Sequence, residues 1–335
     1  MRKASVVIGL GAFFLTMALM LKFYAYDRLA VIPLDQNTRQ TVVDDHATFF
    51  DADKVAPGAG KLTTVATVIG DPDASKAASK QQGRDLVVIN KGQTSDNNDQ
   101  APPMDGSTDK IVVDRHTGVA VNCCGTASNG KPAQFKGQLI KFPFQTTRRT
   151  YDYWDGTADR TMAMKYVSTE TIKGLQTYKF EGVLPLEQYR TQEVPRGIFG
   201  LPDTGGVVAK RSYQNTRTLW VEPETGVIIK LQEKQHQELQ IDEPGAKPVN
   251  ALTTTSVFTD KTVQDNVDEY ASKATLLKIL RFWAPLALGA LGVILLIAGV
   301  FVSIAARSRR SQEERSTEDD PTMPMRRRSE VRSEV

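Results

Sequence analysis

The chain has 335 residues, 40% of them apolar and 24% charged, with a formal net charge of +3. This balance suits a globular protein and excludes collagen-like and low-complexity chains. The net positive charge lies in the first 24 residues and in the tail from 307, so the middle is close to neutral and offers no basic field for nucleic acid.

In chain order, Ala4–Leu21 is an uncharged apolar run behind Arg2 and Lys3. A helix rises about 1.5 Å per residue, so about 20 residues cross a hydrocarbon core of about 30 Å. The exit, Lys22-Phe23-Tyr24-Ala25-Tyr26-Asp27, lacks the small-x-small pattern of a cleavage site. Its aromatic residues and lysine suit a membrane interface, so 4–24 reads as an uncleaved helix rather than a signal peptide. Phe282–Ala306 is a second uncharged run, with Pro285 as a place for a kink. Two spans put both ends on one side. Arg2 and Lys3 before the first run, with Arg307, Arg309, Arg310 and Arg315 after the second, make that side the cytoplasm. The expectation is a two-pass plasma-membrane protein. It has a short cytoplasmic start at 1–3, an extracytoplasmic segment at 25–281 and a disordered, mixed-charge tail at 307–335.

The segment 25–264 reads as β-rich. Short β-branched and aromatic runs at 62–69, 86–89, 110–114, 161–167, 176–183, 218–221, 227–231 and 256–258 stand between Gly, Pro, Asn and Asp. Polar stretches at 71–83, 94–108, 127–132 and 242–248 read as loops, and 186–204 as an irregular crossover. From Asp265, Val267, Tyr270, Ala271, Ala274, Leu277 and Leu280 recur at helical spacing, which predicts a juxtamembrane helix over 265–281.

An ordered set of internal matches suggests duplication. Val113-Asp-Arg-His-Thr117-Gly118-Val119 matches Val221-Glu-Pro-Glu-Thr225-Gly226-Val227. Thr38–Val42 matches Thr147–Tyr151, Ile32–Leu34 matches Phe142–Phe144, Phe50-Asp51 matches Trp154-Asp155, and Leu62–Ile69 matches Leu175–Gly182. The fold class is therefore α+β: two transmembrane helices flanking a mainly antiparallel β domain. That domain is expected to hold two similar sheet units near 30–135 and 136–240, packed face to face or edge to edge.

Chemistry is sparse. The only cysteines, Cys123 and Cys124, are adjacent, which leaves free thiols, a strained ring or an interchain bridge as the options for a redox or disulfide role. His46, His116 and His236 show no metal spacing, and Asp96-Asn-Asn-Asp99 lacks the glycine and distal glutamate of a calcium loop. No nucleophile elbow, phosphate loop or zinc motif occurs, so neither catalytic residues nor a cofactor is expected. The aromatic set Tyr151, Trp154, Tyr178, Phe180 and Trp220 is either core or the lining of an apolar groove for a lipid-like ligand.

Phe142-Pro143-Phe144, Tyr151 with Trp154-Asp155, Gly174-Leu175 with Tyr178 and Phe180, and Leu219-Trp-Val-Glu-Pro-Glu-Thr225-Gly226 resemble an actinobacterial family labelled the porin PorA family. The two-anchor layout is also similar. The resemblance implies an envelope protein and brings no catalytic residues. The hairpin after Tyr178 and Phe180 also resembles lipoprotein carriers of the LolA and LppX type. Three roles follow as expectations. The first is handling of lipid-like envelope components. The second is an interaction or sensing scaffold that binds an envelope partner. The third is an oligomeric channel component, since two helices alone enclose no aqueous pore and the chain enters lipid by helices rather than by a strand barrel.

Overall fold

Both apolar runs are helical in the computed structural model, which describes residues 2–99 and 103–318. Helix α1 (Arg2–Met20) continues through a π-helical turn at Leu21–Ala25 into the short α2 (Tyr26–Leu29). Between the ends lie α3 (Pro72–Gln82) and α4 (Asp260–Lys278). A second π-helical turn, Ile279–Trp283, leads into α5 (Ala284–Glu318). This wide turn stands directly before Pro285, whose missing N–H and ring a regular helix would not accommodate. Both end helices are long and apolar enough to cross a membrane. α5 runs on to Glu318 instead of giving way to disorder after Ala306, because 307–318 holds no Gly or Pro and is rich in the helix formers Arg, Gln and Glu. The rest of the expected tail, 319–335, lies outside the described residues.

The chain ends, up to Tyr26 and from Ile279, form one unit, and Asp27–Lys278 forms the other. In the first, α1 and α5 lie antiparallel with backbones close. A Cβ at Gly292 would stand 2.8 Å from Leu15 Cγ and 2.9 Å from the Gly11 carbonyl, and one at Gly299 would stand 2.5 Å from Ile8 Cγ1. Gly11, Gly292 and Gly299 thus serve contact within the chain, as small residues do between helices in lipid. Gly9 faces open space. Phe23, Tyr24, Phe282 and Trp283 are exposed at one end of the pair. There Lys22 and Arg281 lie over the Phe23 and Phe282 rings, an arrangement suited to a membrane–water interface.

The second unit is built on one antiparallel sheet. Its strands are β1 (Asn37–Asp51), β2 (Ala56–Asp71), β3 (Leu86–Asn97), β4 (Asp105–Asp114), β5 (Ala127–Ser128), β6 (Lys131–Pro132), β7 (Tyr151–Asp155), β8 (Arg160–Ile172), β9 (Leu175–Pro195), β10 (Gly206–Val221), β11 (Ile228–Gln240) and β12 (Val249–Phe258). The order is β6-β5-β4-β3-β2-β1-β12-β11-β10-β9-β8-β7. Two meanders thus join edge to edge where β1 pairs with β12. The opposite edges meet as well. Bridges Val113–Ala120, Val119–Gln138 and Gln138–Tyr153 carry the ladder from β4 to β7. The bonds Asp114 N to Val119 O (3.0 Å), Ala120 N to Gly137 O (2.9 Å) and Trp154 N to Gln138 O (2.7 Å) hold that link. At this level the sheet closes on itself, which removes exposed edges.

Apolar residues on the inner face fill this barrel. One cluster, with Val68, Ile89, Ile111 and Phe135, belongs to the first meander. Another, with Met162, Phe180, Leu219 and Ile229, belongs to the second and packs against Val263 and Val267 of α4.

The polar stretch 71–83 is not a loop but α3. Asp71 caps it by accepting from Ala74 N at 2.9 Å, Pro72 begins it, and Gly83 ends it at φ +62°. Its buried Ser75 accepts from Val88 N at 2.8 Å, and Ala78 packs over Leu86 and Val88. Of the other expected loops, 94–108 is mostly the ends of β3 and β4, 127–132 forms the hairpin β5–β6, and 186–204 begins as the far half of β9. α4 also starts earlier than expected, at Asp260.

Two turns recur with the same bonds. Asp114 Oδ1 accepts from Thr117 N (2.9 Å) and Thr117 Oγ1 (3.0 Å), and Gly118 N donates to Asp114 O (2.8 Å). Glu222 Oε2 accepts from Thr225 N and Oγ1 (both 2.7 Å), and Gly226 N donates to Glu222 O (2.8 Å). Asp51 accepts from Asp53 N and Lys54 N, and Asp155 from Thr157 N and Ala158 N, at 3.0–3.1 Å. These turns align β1–β4 with β7–β10 in chain order. The match of 62–69 with 175–182 does not fit this alignment, because it sets β2 against β9 rather than β8.

Candidate functional site

Above the apolar layer, the inner face of the second meander turns polar. Strand alternation sends Asp155 of β7, Tyr213, Asn215 and Arg217 of β10, and Glu233 of β11 into one interior position. Arg217 is opposite Glu233 across one ladder and opposite Gly182 across the other. The glycine leaves room there, since a Cβ would stand 2.5 Å from Met164 Sδ.

The Arg217 side chain is 12% exposed, Glu233 14% and Asp155 1%. Arg217 Nη2 lies 3.2 Å from Asp155 Oδ2, and its Nε bonds Glu233 Oε1. Asp155 Oδ2 also accepts from Tyr213 OH and Asn215 Nδ2, both at 3.1 Å. Asn215 Nδ2 reaches Glu233 Oε1 at 3.3 Å. Burial pulls the Arg217 pKa down, but Glu233 and Asp155 more than offset this and hold it above its ordinary value. Burial pushes the Tyr153 phenol, beneath the guanidinium, up to about 12. One cation thus serves two buried carboxylates, and each charged group has partners within the protein, although the buried Asn215 Oδ1 accepts no hydrogen bond from the described residues. This is the chemistry of a locked core rather than of a reacting centre.

A second buried titratable group lies in the strap between the Thr-Gly turns. Burial holds the Lys141 amine well below its usual pKa, with Glu222 pulling it back, and Nζ lies 3.2 Å from the centre of the Phe144 ring. Phe142 N donates to Gly226 O (2.7 Å) and Thr146 N to Pro223 O (2.8 Å), which ties this strap to the second turn.

The five aromatic residues do not line one groove. Tyr151 and Phe180 are buried against Phe142, with Tyr178 beside them. Trp154 points to the other cluster and meets Phe135 edge-on. Trp220 lies on the opposite face of β10, bonded to Glu170 Oε2 at 2.6 Å and covered by Lys179 and Lys230. Core packing consumes the apolar surface that a lipid-like ligand would need.

Cys123 and Cys124 are free thiols packed near α3. Burial and the adjacent Cys124 push the Cys123 thiol up to about 11, which disfavours the reactive thiolate. His116 sits 3.6 Å from Asp85 and His236 bonds Thr253 at 2.9 Å, each in its own place. Among the described residues, no three His, Cys, Asp or Glu side chains gather as metal ligands.

Arg217 and Glu233 stand in no motif or spacing that marks them in the sequence. The available signal was the match of Phe50-Asp51 with Trp154-Asp155, which marks Asp155 as a recurring turn acid. A family profile described as Porin PorA matches residues 4–301. The chain is similar to a Porin PorA of Corynebacterium resistens, at 24% identity over 91% of this chain and 97% of the relative. It is also similar to a Porin PorA of Corynebacterium amycolatum, at 26% identity over 67% of this chain and 74% of the relative.

Proposed function

Because this chain belongs to the Porin PorA family, we propose that it is a two-pass cell-envelope protein. Both termini are cytoplasmic, α1 and α5 cross the membrane as a pair, and Asp27–Lys278 folds on the outer side as a non-catalytic body. One observation carries this reading: the antiparallel, glycine-mediated contact of α1 with α5, with exposed aromatic residues at one end. The recurring acid-capped turns support duplication of a four-stranded unit, with β1–β4 and β7–β10 as its copies.

The printed name of the relatives brings the expectation of a channel. A single pair of helices encloses no aqueous path, and the inner face of the β domain is filled with side chains. Conduction would therefore require the helices of several copies. In this reading the β domain organises such an assembly or binds its envelope partners.

The helix contact has a direct test. A Cβ at Gly289 would lie 4.0 Å from Ala18 Cβ, inside the disulfide range of about 3.5–4.5 Å. The variant Ala18→Cys/Gly289→Cys, with Cys123 and Cys124 changed to serine, is expected to close an intramolecular disulfide in native membranes on mild oxidation. Adding Gly292→Val should abolish it. A reduced monomer in the parent, or a bond only between chains, would overturn the pairing.

A further inference from the structure

We propose that the outward face of β1–β4 binds an uncharged oligosaccharide. A shallow, open cleft of about 600 Å³ lies on that face, opposite the apolar core. Its floor is made by missing side chains. Gly92 pairs with Thr108, and Gly106 with Thr94, on adjacent strands. A Cβ at Gly92 would meet nothing within 4 Å, and one at Gly106 nothing nearer than 3.7 Å. Neither glycine has a left-handed φ, so neither the backbone nor packing requires it. Glycine inside a strand weakens the strand, and here it opens the sheet face to close approach.

The walls are polar. One row across the strands reads Arg39, Thr67, Gly92, Thr108, and the next reads Val65, Thr94, Gly106. Gln93, Asp96, Ser107 and Asn129 also line it. Asn129 Oδ1 accepts from Thr108 N at 3.0 Å, which leaves its amide hydrogens available. Among the described residues, no hydrogen bond engages the side chains of Arg39, Thr67, Thr94, Thr108 or Asp96.

This set selects a ligand class. Threonine hydroxyls both donate and accept, guanidinium only donates and carboxylate only accepts. Together they match neighbouring hydroxyls, each of which does both. Arg39 and Asp96 cancel in charge, so the cleft has no net attraction for phosphate or an anionic headgroup. Val65 and the threonine methyls suit the C–H face of a sugar ring but are too few for an acyl chain. The ladders of β2 with β3 and of β3 with β4 are complete along the cleft, so no peptide strand can add there. This proposal reaches beyond the envelope reading and does not depend on which side of the membrane the domain occupies.

The test uses the full chain in a zwitterionic detergent and saturation-transfer NMR with cellohexaose, maltohexaose and xylohexaose at millimolar concentration. Transfer to at least one oligosaccharide is expected, unaffected by inorganic phosphate. Gly92→Val/Gly106→Val should weaken it by about tenfold or more, with thermal melting as a check on folding. If that variant melts early, Thr108→Val, a swap of similar shape, should still weaken binding. Silence from all three sugars, displacement by phosphate, or undiminished binding in a well-folded variant would overturn the proposal.

Discussion

Replacing Arg217 with methionine is expected to cost about 3–5 kcal/mol of stability, the usual penalty for removing one partner of a buried ion pair. The guanidinium lies between Asp155 and Glu233, and its loss leaves two carboxylates in the interior without a cation. Tyr213 and Asn215 still donate to Asp155, but neutral donors do not offset the desolvation of a charge. Arg211 provides the control. It bonds Gln237 at 2.7 Å and Gln192 at 2.9 Å and sits farther out on the same strand. Arg211→Met strands no carboxylate, so about 1–2 kcal/mol is expected. Denaturant unfolding of the full chain in detergent, followed by tryptophan fluorescence, compares the two. Equal losses would contradict the view that the Asp155–Arg217–Glu233 cluster locks the interior.

Gly226→Ala is expected to destabilise far more than Gly118→Ala, although the two glycines occupy the same place in recurring turns. Both have left-handed φ, +73° and +70°. Each alanine therefore carries a backbone cost of about 1–2 kcal/mol. The surroundings differ. A Cβ at Gly226 would stand 2.1 Å from the Phe142 carbonyl oxygen and 2.5 Å from that of Pro143, and the strap cannot retreat without losing the bond from Phe142 N to Gly226 O. A Cβ at Gly118 meets the end of the Gln138 side chain at 2.9 Å and the Lys141 carbonyl at 3.3 Å, and Gln138 Oε1 has no hydrogen bond to lose by shifting. Overpacking adds about 1–3 kcal/mol at Gly226 and little at Gly118. The same unfolding measurement reads the difference, and equal effects would show that the strap is loose.

The sequence carried the elements more clearly than their closure. Uncharged runs of about 20 residues or more marked α1 and α5, because a segment long and apolar enough for hydrocarbon has to satisfy its own backbone as a helix. Alternating residues such as Tyr178, Phe180 and Gly182 marked β9. The Thr-Gly and Asp51/Asp155 matches marked turns whose bonds the structure repeats. Polar composition hid α3, whose cap, proline start and glycine end were legible signals that the loop reading ignored. The barrel closure was not legible, because single bridges at Ala120 and Gln138 leave no periodic pattern. The charge cluster was hidden for a related reason. Asp155, Arg217 and Glu233 come from three strands, and only the register brings them together. The aromatic residues illustrate the limit of composition: Trp154 and Trp220 look like companions of Tyr178 and Phe180, yet Trp154 packs with Phe135 in the other apolar cluster and Trp220 lies on the opposite face of β10.

Sided labelling bears most directly on the two-pass architecture. Val55, in the β1–β2 turn, is 50% exposed, and Ser308 lies beyond the apolar stretch of α5. With Cys123 and Cys124 changed to serine, Val55→Cys should react with a membrane-impermeant maleimide on intact cells. Ser308→Cys should react only after the cells are opened. Labelling of Ser308→Cys from outside, with Val55→Cys protected until lysis, would contradict the account.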